Sequence, residues 1–244
     1  MNCRSAIAIV CACLFGCAAA NAQMPGGGSP ANLNSTLVRI LGATNAFSAK
    51  ADVRVLDRAS SKESMSLTMN FAQLYSRVRA EIDMAKIKSK EIGSNDVVSL
   101  RQLGLDQLIT VVRLDRMTAI YAYPTLRGYV ETPLPEEEAT TLYLTVVGSE
   151  TVDNHPCLKC KIFSLDNKEK GESEKLEAYV WKARDLRNLP IKAQIYQRDA
   201  VVVMQFKDIK PSRPQFGLFD APVGYTRYET MEALTLSRML GGPK

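Results

Sequence analysis

The residues best placed to do chemistry are Cys157-Leu158-Lys159-Cys160, with the only histidine of the chain, His155, two positions earlier. Thiol exchange needs a thiolate, which thioredoxin-type CxxC pairs obtain at a helix N-terminus beside a βαβ unit. Here Pro156 precedes the pair, and Lys159-Cys160-Lys161-Ile162-Phe163-Ser164-Leu165 continues it with an extended pattern. In a regular strand, positions i and i+3 point to opposite faces roughly 10 Å apart, beyond the about 7 Å between Cα atoms that a disulfide tolerates. The pair therefore reads as two separate thiols. A disulfide between Cys157 and Cys160 stays open if the chain turns at Leu158-Lys159, and redox catalysis rests on the spacing alone.

Other chemistries find fewer supports. His155 reads as a loop residue before Pro156, and with the two cysteines it makes an incomplete zinc set, since no second CxxC or HxxxH is present. Acyl transfer lacks a GxSxG elbow, and the nearest carboxylate to His155 in sequence is Asp153. Glu136-Glu137-Glu138 reads as a solvated face or a helix start, and nothing selects a carboxylate pair for glycoside hydrolysis. No GxGxxG or GxxxxGK segment suggests a nucleotide. The expectation is a non-enzyme with no catalytic residue, no metal and no cofactor.

The elements that would carry a binding site are strands. Ser64 to Phe71 alternates strictly, with Met65, Leu67, Met69 and Phe71 apolar between small polar residues. Arg77 to Met84 does the same, with Val78, Ala80, Ile82 and Met84 opposite Arg77, Arg79, Glu81 and Asp83. A two-residue period sends one set to each face of a pleated sheet, so each strand should have one buried and one wet face. Met117 and Met204 are expected to join the methionine-rich face, and methionine suits a surface that accepts varied apolar partners. The rival reading of this face is an ordinary core covered by helices.

Further strand-like runs cover 50–56, 108–114, 117–123, 127–131, 142–152, 158–165, 175–181, 191–197 and 200–206, separated by turn signals such as Leu114-Asp115-Arg116 and Arg198-Asp199. About ten or eleven strands in an antiparallel meander must curl, close or split. Short helices are expected over 32–41, over 96–103 with a cap at Ser94 or Asn95, at Pro135-Glu136, and over 230–240. The class is α+β, mainly β, in one domain over 32–244.

An apolar run from Ser5 to Ala20 ending in Ala20-Asn21-Ala22 has the layout of a signal peptide over 1–22, and it is shorter than the ~20 residues a spanning helix needs. Two processing routes compete: cleavage before Gln23, or lipidation at Cys17, where Leu14-Phe15-Gly16-Cys17 approximates a lipobox. Residues 23–31 are a flexible linker or tether. Removing 1–22 leaves Cys157 and Cys160 of six cysteines, and 30 basic against 26 acidic residues, a formal +4. The two signs are interspersed, which argues against nucleic acid as a partner.

Several stretches resemble the lipoprotein-localisation carrier superfamily (LolA/LolB-like), and within it an uncharacterised outer-membrane lipoprotein-sorting-like group. They are Leu103 to Asp115, Ile120 to Glu131 with Tyr123-Pro124, Val180 to Lys192, Phe206 to Lys210, and Phe216 to Tyr225 with its Pro222-Val223-Gly224-Tyr225 ending. The resemblance implies a large curved antiparallel half-barrel of about eleven strands, with a few short helices on its concave side. It also implies binding of an acyl chain, a lipoprotein or another apolar ligand without turnover. The Cys157/Cys160 pair is outside that pattern. The expected protein is thus an exported monomer, periplasmic or outer-membrane-anchored, associated with the membrane peripherally or by its lipid. Its apolar cavity would be lined by Met65, Leu67, Met69, Phe71, Val78, Ile82 and Met84. The alternative is a structural or regulatory module that binds another envelope protein.

Overall fold

The structure, a computed structural model, describes residues 38, 40–41, 45–89, 92–134, 141–166 and 173–239. The expectations for the signal segment, Cys17, the linker and the helix start at Pro135 lie outside these residues.

Alternation organises what is described. β1 (Ala46–Asp57), β2 (Glu63–Leu74) and β3 (Arg77–Asp83) bury every second residue over most of their length. β4 (Lys88–Ser89), helix α1 (Ser94–Leu103), β5 (Gln107–Arg113), β6 (Thr118–Tyr123) and β7 (Gly128–Pro133) follow. Then come β8 (Leu142–Val152), β9 (His155–Asp166), β10 (Ser173–Ala183), β11 (Leu189–Tyr196), β12 (Ala200–Lys210), β13 (Thr226–Tyr228) and helix α2 (Met231–Met239). The strands form one open 13-stranded sheet in the order β13-β7-β6-β5-β3-β2-β1-β12-β11-β10-β9-β8, with β4 on β2. β1 lies in the middle, so one meander fans out to β7 and a second returns from β8 to β12.

The sheet has more strands than the ten or eleven read from sequence. β4 and β13 have two and three residues, too few for an alternation to show, and β13 pairs parallel to β7. His155 is also not a loop residue. Asp153 and Asn154 both take positive φ (48° and 65°), the two-residue turn that matches strand twist, and Val152 pairs with His155 directly after it. α1 starts two residues earlier than expected: Gly93 is its N-cap, and Gly93 N donates to Asp96 Oδ2 at 2.9 Å. Gly104 ends the helix at φ 71°, where an added Cβ would lie 2.8 Å from Leu126.

The outer face is not uniformly wet. β5 and β6 lose their alternation in Leu108-Ile109-Thr110-Val111-Val112 and Ala119-Ile120-Tyr121-Ala122, a pattern of burial on both sides. Ala72, Leu74, Val111, Ile120 and Ala122 form a second core on that face under Phe219, which is fully buried.

Candidate functional site

The seven residues expected to line a cavity all point to the inner face and are 2–6% exposed. Met65, Leu67, Met69 and Phe71 lie on β2, and Val78 and Ile82 on β3, with Met69 directly opposite Ile82. Met84 follows β3 in a short 3-10 turn, Met84–Lys86, and is buried there. Met117 does not join them: it sits in the β5–β6 turn at φ 50° and is exposed. Met204 does join, paired with Val53 on β1.

Register carries this surface across the second meander. One row runs Leu67, Val53, Met204, Ala193, Val180, Cys160, Val146, each residue paired with the next from β2 to β8. A second row runs Met65, Val55, Val202, Ile195, Ala178, Ile162, Leu144 in the same way. Sequence reading missed these rows because pairing register between distant strands leaves no local signal, although the alternation Ala49, Ala51, Val53, Val55 marked one member. Alanines at 49, 51, 80, 178 and 193 keep the middle of the floor low, while both rows run out to half-exposed leucine and valine on the edge strand.

What covers the floor is short. Val38, Ile40 and Leu41 are helical and buried, and with Leu100 and Leu105 and with Leu234 of α2 they join the floor in one contiguous core. Phe47, Phe71 and Phe206 meet at its centre, with ring centroids 5.1–5.7 Å apart. Each buried side chain of this size stabilises the fold by about 1.5–3 kcal/mol. The Thr110 hydroxyl is buried on the same face with no hydrogen-bond partner among the described residues. Among the described residues this interior is mainly apolar, with Gln73 and Thr110 as buried polar members.

The outer face is fixed by Arg113 and by Arg77 and Arg79, the last two of which alternation placed on a wet surface. Arg77 and Arg113 sit directly opposite each other, an unfavourable like-charge pair offset by surrounding carboxylates. Arg77 meets Asp115 at 2.5 Å and lies 4.0 Å from the Phe216 ring centroid. Arg113 pairs with Glu131 and with Asp220 at 3.5 Å, and donates to Thr118 Oγ1 at 3.0 Å. Arg79 pairs with Glu81 and donates to the Leu218 carbonyl at 2.9 Å. These contacts strap 216–220 across β3 and β5. Beside the strap is a hollow of about 420 Å³ whose lining includes Lys50, Asn70, Arg79, Glu81, Asp208 and Lys210. Its charges are largely satisfied within the chain, by Lys50–Asp208 at 2.9 Å and Arg79–Glu81 at 2.7 Å.

The CxxC pair is spread over the two faces of one strand. β9 runs without a turn from His155 to Asp166, and both thiols are free and buried. Cys160 lies in the inner row, whereas Cys157 packs with Trp181, Ala183 and Ile191 on the outer side. Burial pushes both thiols above the usual cysteine range, the opposite of what a redox nucleophile requires. The carboxylate partner of His155 is not Asp153 but Asp185, at 2.7 Å to Nδ1, brought there by the short 3-10 turn Arg184–Leu186. Among the described residues there is no cluster of three or more His, Cys, Asp or Glu side chains able to hold a metal, and no helix long and apolar enough to cross a membrane.

No family model matches the chain, and no curated protein matches it. Among solved structures it is similar to LprF from Mycobacterium bovis, at 11% identity over 79% of this chain and 97% of that one, with a TM-score of 0.37. It is also similar to the lipoprotein LppX from Mycobacterium tuberculosis, at 13% identity over 75% and 95%, TM-score 0.34. A LolA superfamily protein from Nitrosomonas europaea shows 7% identity over 76% and 97%, TM-score 0.32. The last carries the superfamily name that the sequence stretches resemble. Likeness of this degree assigns neither family nor function.

Proposed function

We propose that this chain is an exported, non-catalytic carrier that holds an acyl chain, free or as part of a lipoprotein, on the inner face of its sheet. The observation that carries the reading is the pair of unbroken apolar rows from β2 to β8 over an alanine-lowered middle. A ligand of repeating methylenes needs such a surface, long, apolar and without directional polar groups, and each buried CH₂ contributes about 0.8 kcal/mol. Val38, Ile40, Leu41, Leu100, Leu105 and Leu234 pack into one core with the floor, so loading requires these side chains to move off it. Met65, Leu67, Met69, Phe71, Val78, Ile82 and Met84 would contact the ligand, and methionine flexibility would let the floor refit around it. The N-terminal layout supports export, with residence in the periplasm or, if Cys17 is lipidated, on the outer membrane.

Titration with cis-parinaric acid tests this. Its fluorescence should rise on binding and be displaced by palmitate, and Met69→Glu should abolish the rise. Since Met69→Glu also burdens the fold, Leu67→Ala with its melting temperature provides a second reading. An unchanged parinarate signal at ligand concentrations up to about 100 μM, well above the micromolar range that long apolar burial implies, contradicts the proposal.

A further inference from the structure

The two edges of the sheet are built differently. The β13 edge is a three-residue strand. The β8 edge is eleven residues long and exposed along almost its whole length. It carries Tyr143, Leu144, Val146 and Val147 at 42–54% exposure, and Glu150 is its single charged residue. About half the backbone N–H and C=O groups of an edge strand face outward unpaired, and proteins usually blunt such edges with charge, proline or shortness. Over Leu142–Val146 this one has none of these, and the irregularity in its pairing with β9 comes only after Val146.

We propose that β8 pairs antiparallel with β8 of a second copy of this chain, across a two-fold axis at Leu144. Self-complementarity selects the occupant. With the axis at Leu144, Leu142 faces the second copy's Val146, Leu144 faces its own equivalent, and Tyr143 faces Thr145. Apolar thus meets apolar on the inner side, and no charge enters the ladder, because Glu150 lies beyond its end. Antiparallel opposition keeps paired side chains on one face, so the row that ends at Leu144 continues directly into that of the second copy, while Val146 at the end of the other row meets Leu142. The row Met65 to Leu144 would then meet its two-fold-related copy, and the exposed end of each floor would be covered by the other. Such a contact is isologous and closes as a dimer rather than a fibre. Five edge residues per copy, Leu142 to Val146, make a contact at the small end of specific interfaces, and dissociation in the micromolar range is expected.

Sedimentation velocity of the purified chain from about 1 to 500 μM should show a monomer–dimer transition. Leu144→Lys should hold the chain monomeric over that range, as should Thr145→Pro, which alters the edge without adding charge, while circular dichroism and melting temperature report whether each variant folds. Cα atoms directly opposite each other lie about 4.5–5.5 Å apart, within disulfide reach. Leu144→Cys should therefore form a covalent dimer on mild oxidation, whereas Val152→Cys should not. A wild-type chain that stays monomeric throughout overturns the proposal. So does a dimer that survives Leu144→Lys, or one in which Val152→Cys crosslinks as readily as Leu144→Cys. None of these readouts depends on ligand binding.

Discussion

Replacing Phe71 by alanine distinguishes a floor packed under its cover from a standing cavity. Phe71 is 2% exposed, and its ring lies 5.6 Å from Phe47 and 5.1 Å from Phe206. Truncating a phenylalanine in a filled core costs about 3–5 kcal/mol, the lost transfer energy plus the void left behind. Two aromatic neighbours place this site toward the upper end, since each such pair is worth about 0.5–1.5 kcal/mol beyond area. A domain is stable by about 5–15 kcal/mol, so Phe71→Ala should still fold. With a urea slope of about 3 kcal/mol/M for a chain of this size, the midpoint should fall by about 1–2 M. Phe71→Leu keeps most of the volume and should lose less than half as much. A Phe71→Ala shift below about 0.3 M, roughly 1 kcal/mol at that slope, would refute the packing argument, because a ring facing open space loses contacts on one side only.

Other consequences follow from the strap, the thiols and the helix end. Arg113→Met should loosen 216–220 and leave Glu131 half-buried with only Arg227 at 3.8 Å; a loss of about 3–5 kcal/mol in urea unfolding, with faster proteolysis near Phe216, is expected, and an unchanged midpoint would contradict it. Cys157 and Cys160 should resist iodoacetamide in the native chain and react once unfolded, read by peptide mass spectrometry; rapid native labelling would contradict their burial. Because burial raises both thiols, the folded state keeps protons that the unfolded state releases. Their effect on stability is thus absent below about pH 8.5, and stability declines above it. A Cys157→Ala, Cys160→Ala chain should show a shallower decline. Gly104→Ala forces a left-handed alanine against Leu126, costing about 1–2 kcal/mol and lowering the melting temperature by about 2–8 °C.

Much of this was legible in the sequence because period-two alternation is a local signal. Met65 to Phe71 and Val78 to Ile82 declared their buried face, and the extended run after Pro156 declared that the two cysteines diverge. Four things were not legible. Strands as short as Lys88–Ser89 and Thr226–Tyr228 contain no period. The Asp153-Asn154 turn was hidden in an apolar-to-polar transition, which left His155 and Pro156 reading as loop. The arginine strap depends on Phe216 to Asp220 folding back over β3 and β5, contacts separated by more than a hundred residues in the chain. Only the missing alternation in β5 and β6 hinted that the outer face was covered. The two rows from β2 to β8 likewise exist only once register is fixed.

The claim that the inner floor receives an acyl chain is tested most directly at its methionines. With ¹³C-labelled methionine methyls assigned by substitution, doxyl-stearate should broaden Met65, Met69, Met84 and Met204 together and leave Met117, out in its turn, sharp. Broadening confined to Met117, or none at all, would contradict the account.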